Sequence, residues 1–398
     1  MKSNIIIPIT LSPEEALRKA AIHLDDSRGK VVATLDKQLD DVELLILVVR
    51  LTKKMIDRSE LFVFQCTDFD FARAGESTLE KRLTLKVLGE PASNLLDLFE
   101  KHQLHPLLKI FVKAFQMHQL LGLDVGAYMY AKPSSRAVPV TGFMAPASEL
   151  AWRLNQAVAK VREEAIKSNW KRLEKNFRRN ANKNARNLIL DLKAQLAAHA
   201  RVSIIRLDLS FSNGAGVEPK HGKSNGEFST EEEGQGPVYK KVRELRIAFW
   251  KEVEKAYGTG LLGRASKLEY GYSRGYHFHV LIFLDGSKHQ QDIRNGIRIG
   301  EIWKRLVPDG EGAFYLCNVY KEKYKYLGLG MATYSDDGFF TGYVMAVAYL
   351  TKPDCYMQVI LPGRDRAFHR TFTQEESIKK LGRKRRKGGQ SLIGCENS

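Results

Sequence analysis

GYHFHVLIFLDG, residues 275–286, is the stretch on which the reading of the fold turns. It is rich in aromatic and β-branched residues and is bounded by Gly275 and Gly286, the composition of a strand. Side chains alternate along a strand, so His277 and His279 share one face while Phe278, Val280 and Ile282 take the other. The preceding RASKLEYGY, residues 264–272, has the same character and reads as the partner strand of a hairpin. A loop of Ser273, Arg274 and Gly275 sets Tyr272 opposite Tyr276, Gly271 opposite His277 and Glu269 opposite His279. Glu269, His277 and His279 then converge on one face, with the side-chain-free Gly271 leaving room between them. The reverse face, Leu268, Tyr270, Tyr272, Tyr276, Phe278, Val280 and Ile282, is apolar enough to be a core. A slip of one residue would put Glu269 on the wrong side.

Two imidazoles and one carboxylate form an incomplete metal shell with open positions, which suits a divalent ion acting as a Lewis acid on a phosphate oxygen. No further histidine or glutamate closely follows the pair in HFHVLIFLDG, which argues against a histidine-triad hydrolase or a cupin.

The rest of the 398-residue chain fits a polyanionic partner. Its 63 basic and 46 acidic residues give a formal charge of +17, a field that favours nucleic acid or an anionic surface. A hydrophobic fraction of 43% permits real cores, and no apolar run approaches the roughly 20 residues that span a bilayer. The start of the chain lacks the pattern of a signal peptide. The four cysteines are scattered with no CxxC pair, so neither a zinc finger nor a disulfide framework is indicated, and a reducing cytoplasm fits.

Along the chain, residues 1–135 read as a helical N-terminal domain, with helices over Leu35–Ile56 and Pro106–Leu121 and a capping pattern at Ser12-Pro13-Glu14-Glu15. Residues 136–200 read as a linker and a basic helix that begins near Ser148, carrying an apolar stripe from Trp152 to Phe177. Lys171, Arg172, Arg178 and Arg179 on this helix are candidate phosphate contacts, although a solvated basic face is an equally good account of them. From residue 201 to 365 the pattern is α+β. VSIIRLDLSF (202–211) alternates Ile205, Leu207, Leu209 and Phe211 with Arg206, Asp208 and Ser210. A helix over Val238–Tyr257 precedes the hairpin, and a helix over Gln290–Leu306 and strands over 313–320 and 355–362 follow it. This pattern predicts an antiparallel sheet with helices on one face. Residues 212–236, rich in Gly, Ser and Glu, read as a loop, and residues 366–398 as a basic tail with Arg383, Lys384, Arg385 and Arg386.

The last predicted helix, Phe340–Lys352, is closed by Pro353 and holds Tyr349 and Lys352 three residues apart on one face. A lone tyrosine of this kind is most often a core residue. Beside a metal and a cation, its phenol becomes a nucleophile for a DNA phosphodiester. Tyr343 lies six residues earlier, about 600° around the helix at roughly 100° per residue, so it falls off that face. No Walker A loop is present, so unwinding would fall to a partner.

The order of these features, a hydrophobic strand, Glu269, His277-Phe278-His279 and then Tyr349-Leu350-Thr351-Lys352, resembles the HUH endonucleases, the relaxases and rolling-circle replication initiators. LEYG with RGYHFH and the YLTK helix is closest in wording to the replication initiators of filamentous phages and related prophages. The resemblance covers roughly residues 200–365. It implies a palm-like, RRM-like sheet with Mg²⁺ or Mn²⁺ held by His277, His279 and Glu269, and Tyr349 as the nucleophile that keeps the 5′-phosphate. Lys352 would place the phosphate or compensate charge. It further implies single-stranded or hairpin DNA at a replication origin as substrate, a host helicase and polymerase as partners, and the bacterial host cytoplasm as location. Arg206 and Arg274 are expected to add DNA contacts. Three other readings stay open. They are a DNA-binding module of this fold without chemistry, a basic RNA-binding protein, and a relaxase, although relaxases usually place the tyrosine before the histidines.

Overall fold

In the computed structural model of the protein, the described residues are 23–25, 31–33, 37–58, 83, 87–88, 102–122, 138–140, 143–145, 147–212, 237–271, 275–324 and 326–372. Residues 23–43, 138–148, 237, 323, 352 and 364 among these are described by their backbone alone. The Ser12 capping pattern, the loop 213–236, Arg274 and the tail residues Arg383, Lys384, Arg385 and Arg386 lie outside the described residues.

The chain begins with a small hairpin, β1 (His23–Asp25) and β2 (Val31–Ala33), and a helix α1 (Lys37–Asp57). Then come β3 (His102–Leu104), α2 (Pro106–Met117), a hairpin of β4 (Val138–Val140) and β5 (Phe143–Ala145), and two long helices, α3 (Ala147–Ser168) and α4 (Trp170–Ala198). The single basic helix expected here is therefore two. They break at Asn169, which takes a left-handed conformation with φ 48°. The break also divides the expected apolar stripe. Leu154, Val158, Val161, Trp170 and Phe177 are buried, while Trp152, Ile166 and Leu173 are exposed.

The remaining elements, β11 apart, build the large sheet and its helical cover. β6 (Arg201–Phe211), α5 (Pro237–Tyr257), β7 (Leu261–Gly271), β8 (Gly275–Asp285), α6 (Asp292–Leu306), β9 (Gly312–Leu316) and β10 (Gly330–Thr333) precede α7 (Asp337–Thr351), β11 (Met357–Val359) and β12 (Phe368–Phe372). The strand order is β10-β6-β8-β7-β12, with β9 pairing further along the same edge of β6, and every pairing is antiparallel. The expected strand over 313–320 stops at Leu316 and turns into a 3₁₀ segment, Cys317–Lys323. The expected strand over 355–362 shrinks to β11, which leaves the large sheet and pairs with β3 instead.

Helices cover both faces of this sheet, not one. Every residue of β8 is buried, and VLIFL offers large apolar side chains to both sides, so each side needs a cover. On one side Leu207, Leu268, Phe278, Val280 and Ile282 pack against Phe249 and Trp250 of α5 and Trp303 of α6. On the other, Ile204, Ala265, Leu281 and Phe283 pack against Leu188 and Leu192 of α4 and Tyr343 and Val347 of α7. That second face changes character along β8, being apolar at Leu281 and Phe283 and polar at His277 and His279. Asp336 starts α7 by accepting the Phe339 amide at 2.8 Å.

Two cores share α4. Its first half, with Trp170 and Ala181, joins α1, α2 and α3 around Val48, Phe111 and Phe115, and its second half joins the sheet. The segment after α7 returns to this helical core, burying Cys355, Tyr356 and Met357 there. No helix among the described residues is long and apolar enough to cross a membrane.

Glu174 of α4 ties the helical core together. Its carboxylate meets Lys53 at 2.7 Å, Arg178 at 2.9 Å and His105 Nε2 at 3.1 Å. His105 Nδ1 accepts the Leu107 amide at 3.2 Å, so the neutral ring donates from Nε2, and burial lowers its pKa. Burial works against the Glu174 charge, but the His105 hydrogen bond and the Lys53 and Arg178 cations outweigh it and hold the pKa at about 2. A depressed carboxylate pKa stabilises the fold above its unfolded value of about 4.3, and this is lost as pH falls towards 2. Glu174→Gln is expected to lower stability by about 1–2 kcal/mol at pH 7 and by little at pH 2, read by urea unfolding. Equal losses at both pH values would contradict the assignment.

Candidate metal centre

The polar end of the second face is built by register. In β7 and β8 Glu269 lies opposite His277 and Lys267 opposite His279, and the ladder ends at Gly271 opposite Gly275. The pairing thus differs by two residues from the one expected. Tyr272, whose pairing with Tyr276 was expected, lies outside the described residues, and Gly275 opens β8 with φ 65°, a conformation that glycine tolerates. A shift of two preserves the face, so Glu269, His277 and His279 still converge, now with Lys267 rather than Gly271 beside them.

One ligand atom from each of Glu269, His277 and His279 lies within 4.8 Å of the others, and together they can hold a metal ion. Glu269 Oε2 is 3.2 Å from His279 Nε2 and 3.8 Å from His277 Nε2. Both rings are oriented from behind. His277 Nδ1 is 3.1 Å from the Gly275 carbonyl, which can only accept, and His279 Nδ1 is 2.6 Å from Asp208 Oδ1. Each imidazole therefore commits Nδ1–H to an acceptor and turns Nε2 towards the common point, the arrangement that fixes metal-binding histidines. The donor set of two imidazoles and a carboxylate suits a divalent ion.

Asp208 was recognisable in sequence only as a polar residue on the Arg206 face of its strand. Its place opposite His279 in the β6–β8 ladder makes it the carboxylate behind that ring. Lys267 is a second residue that the sequence reading missed. It is 2% exposed and ion-paired with Glu269 and, at 2.9 Å, with Asp354 in the turn after α7. Its two-residue spacing from Glu269 on a strand was the available signal.

The electrostatics are tightly coupled. Burial disfavours a charged His279, but Asp208 and Glu269 override it and raise the pKa to about 9. Burial likewise opposes a charged Asp208, and the adjoining His279 and Arg206 bring its pKa to about 2. Glu269 is held well below the carboxylate range against its burial, chiefly by Lys267 and His279. His277 is lowered, first by burial and then by charge on its neighbour.

Tyr349 comes from α7 into contact with this cluster. Its ring stands perpendicular to that of His279 at 6.3 Å between centroids, and the Arg206 guanidinium lies over it at 4.3 Å. Arg206 is 8% exposed and 3.7 Å from Asp208, so it is a buried partner of the tyrosine and not an open phosphate contact. Tyr343 is fully buried and donates to the Leu188 carbonyl at 3.0 Å, which keeps it in the core and away from the cluster. Lys352 begins the 3₁₀ turn Lys352–Cys355 just past the end of α7, and its side chain lies outside the described residues. On α4, Lys171, Arg172 and Arg179 are exposed. Arg178 instead faces inward, bonded to Glu174 and placed over the Tyr356 ring at 5.6 Å.

Fold and site together define an α+β protein with a largely buried, metal-capable His₂–carboxylate cluster facing a tyrosine. Comparison with known proteins returns no matching family model, curated protein or solved structure.

Asp208→Asn removes the charge that orients His279 and is expected to weaken Mn²⁺ binding about 10- to 100-fold with the circular dichroism spectrum unchanged. His277→Ala is expected to abolish it. Calorimetric titration with Mn²⁺ is the check, and wild-type affinity in both variants would remove the metal assignment.

Proposed function

We propose that the chain is a metal-dependent DNA nicking and joining enzyme of the HUH type, acting as a replication initiator through Tyr349. The observation that carries this reading is the approach of Tyr349 to the cluster. A tyrosine from α7 packs on His279, one of three residues that can share a metal, and under a buried arginine. Binding alone calls for none of these groups in combination.

Glu269, His277 and His279 would hold the ion, Mg²⁺ or Mn²⁺, whose chemistry is to polarise a phosphate oxygen as a Lewis acid. The phenol oxygen of Tyr349 attacks the phosphorus and loses its proton, the bond from phosphorus to the 3′-oxygen breaks, and that oxygen takes up a proton. The products are a 5′-phosphotyrosyl linkage and a free 3′-hydroxyl, and the reverse attack rejoins the strand. Arg206, whose positive charge lies over the ring, favours the phenolate as the proton leaves. Lys352, three residues further along the chain, would serve the same phosphate. A 3′-hydroxyl left at a nicked origin is a primer for a host polymerase, with a host helicase opening the duplex.

A second reading has its own support. In the cluster, Lys267, His279 and Arg206 pair with Glu269, Asp208 and Asp354, and such an ion-pair network can serve the fold alone, as in a non-catalytic DNA-binding protein. One experiment separates the two. Protein and Mn²⁺ are mixed with single-stranded origin DNA labelled at either end and run on a denaturing gel. The 3′-labelled strand is expected to shift as a covalent adduct and the 5′-labelled strand to be released as a shorter piece, with both products lost in Tyr349→Phe and His277→Ala. Binding without an adduct on any strand would leave the non-catalytic reading, and an adduct surviving in Tyr349→Phe would move the nucleophile elsewhere.

A further inference from the structure

Directly opposed residues of an antiparallel pair share a face, and the ladders place three in one row. Tyr315 of β9 lies opposite Asp208 of β6, and Asp208 opposite His279 of β8. Adjacent strands are about 4.8 Å apart, so Tyr315 stands roughly 10 Å from the histidine, across the sheet and on the same side. The polar face of the sheet thus runs from a buried ionic cluster to an aromatic ring at its edge.

That ring is unusually open. Tyr315 is 44% exposed, and Tyr320 from the following 3₁₀ segment, 38% exposed, stacks on it at 5.7 Å with the planes 10° apart. Val319, 46% exposed, and Leu327, 40% exposed, add apolar surface from the same loop region. Elsewhere in the sheet the described aromatic side chains pack into or against the two cores, which sets the parallel, exposed rings of Tyr315 and Tyr320 apart from them.

We infer that Tyr315 and Tyr320 form a stacking platform for an unpaired base of the DNA strand whose phosphate lies at the cluster. The inference rests on the proposed nicking reaction for its substrate. A nucleobase offers a flat π-face to a ring regardless of sequence, whereas duplex DNA keeps its bases stacked within the helix. The chain's charge of +17 favours a polyanion over an acid-poor protein partner. A base held on this edge would pin a neighbouring nucleotide and fix the register of the strand at Tyr349. Tyr315 is accordingly a positioning residue, and its ring rather than its hydroxyl is what matters.

The test is fluorescence anisotropy of the full chain with a fluorescein-labelled mixed-sequence single strand of about 20 nucleotides and the matching duplex. Tyr315→Ala is expected to weaken single-strand binding about tenfold or more, Tyr315→Phe to stay within about twofold of wild type, and duplex binding to change little in either. Mn²⁺ affinity of Tyr315→Ala, measured by calorimetry, is expected to match wild type. Single-strand affinity unchanged in Tyr315→Ala overturns the platform, and so does a parallel loss of Mn²⁺ affinity or of duplex binding, since either would mark a structural role. If the platform variants behave as expected but no phosphotyrosyl adduct forms, the nicking reading fails while the base-binding surface stands.

Discussion

Charge can be buried in this protein only because it is buried in company. Asp354, Lys267, Glu269, His279, Asp208 and Arg206 form a chain of ion pairs, each within a few ångströms of the next, on the side of a sheet that is otherwise closed by apolar helices. An isolated ion at such a depth costs several kcal/mol, so each group is tolerable only while its partner is in place. The geometry of the site follows from that requirement. The rings of His277 and His279 are locked by their acceptors, Glu269 is drawn to Lys267, and Lys267 reaches on to the turn that ends the tyrosine helix.

The constraint is written into strand periodicity. A period of two puts Lys267 and Glu269 on one side of β7 and His277 and His279 on the matching side of β8, and it survives a register shift of two. This is why the convergence of Glu269, His277 and His279 was legible in the sequence although the pairing was set two residues away from the observed one. Loop length, unlike face, is not encoded by alternation, and Gly275 serves as the first residue of the strand rather than the last of the turn.

Other parts of the site were illegible for equally physical reasons. Asp208 and Lys267 matter through cross-strand neighbours, and no feature of their own segments names those neighbours. Arg206 looked like a surface cation because arginine usually is one. Its burial depends on a ring from α7, more than a hundred residues further on. The helices over Lys37–Asp57 and Pro106–Met117 were clear from apolar spacing, yet the break at Asn169 was not, and the cover on both sides of the sheet was underestimated. The continuous apolar run of β8 was the available sign, since a strand with one wet face alternates. The division into an N-terminal helical domain and a palm also looked cleaner in sequence than in space, because α4 serves both cores.

That shared helix, together with the path of the chain beyond Tyr349, bears on how the protein can be taken apart. Within seven residues of the tyrosine the chain has left the sheet and buried Tyr356 beside His105, and β11 has found its only strand partner among the described residues in β3. A fragment cut at residue 201 would keep Glu269, His277, His279 and Tyr349. It would also strip α4 from the sheet, bare Cys355, Tyr356 and Met357, and leave β11 with an open edge. The smallest unit that can carry this centre is therefore larger than the stretch that contains its residues, and it includes the helices at the start of the chain.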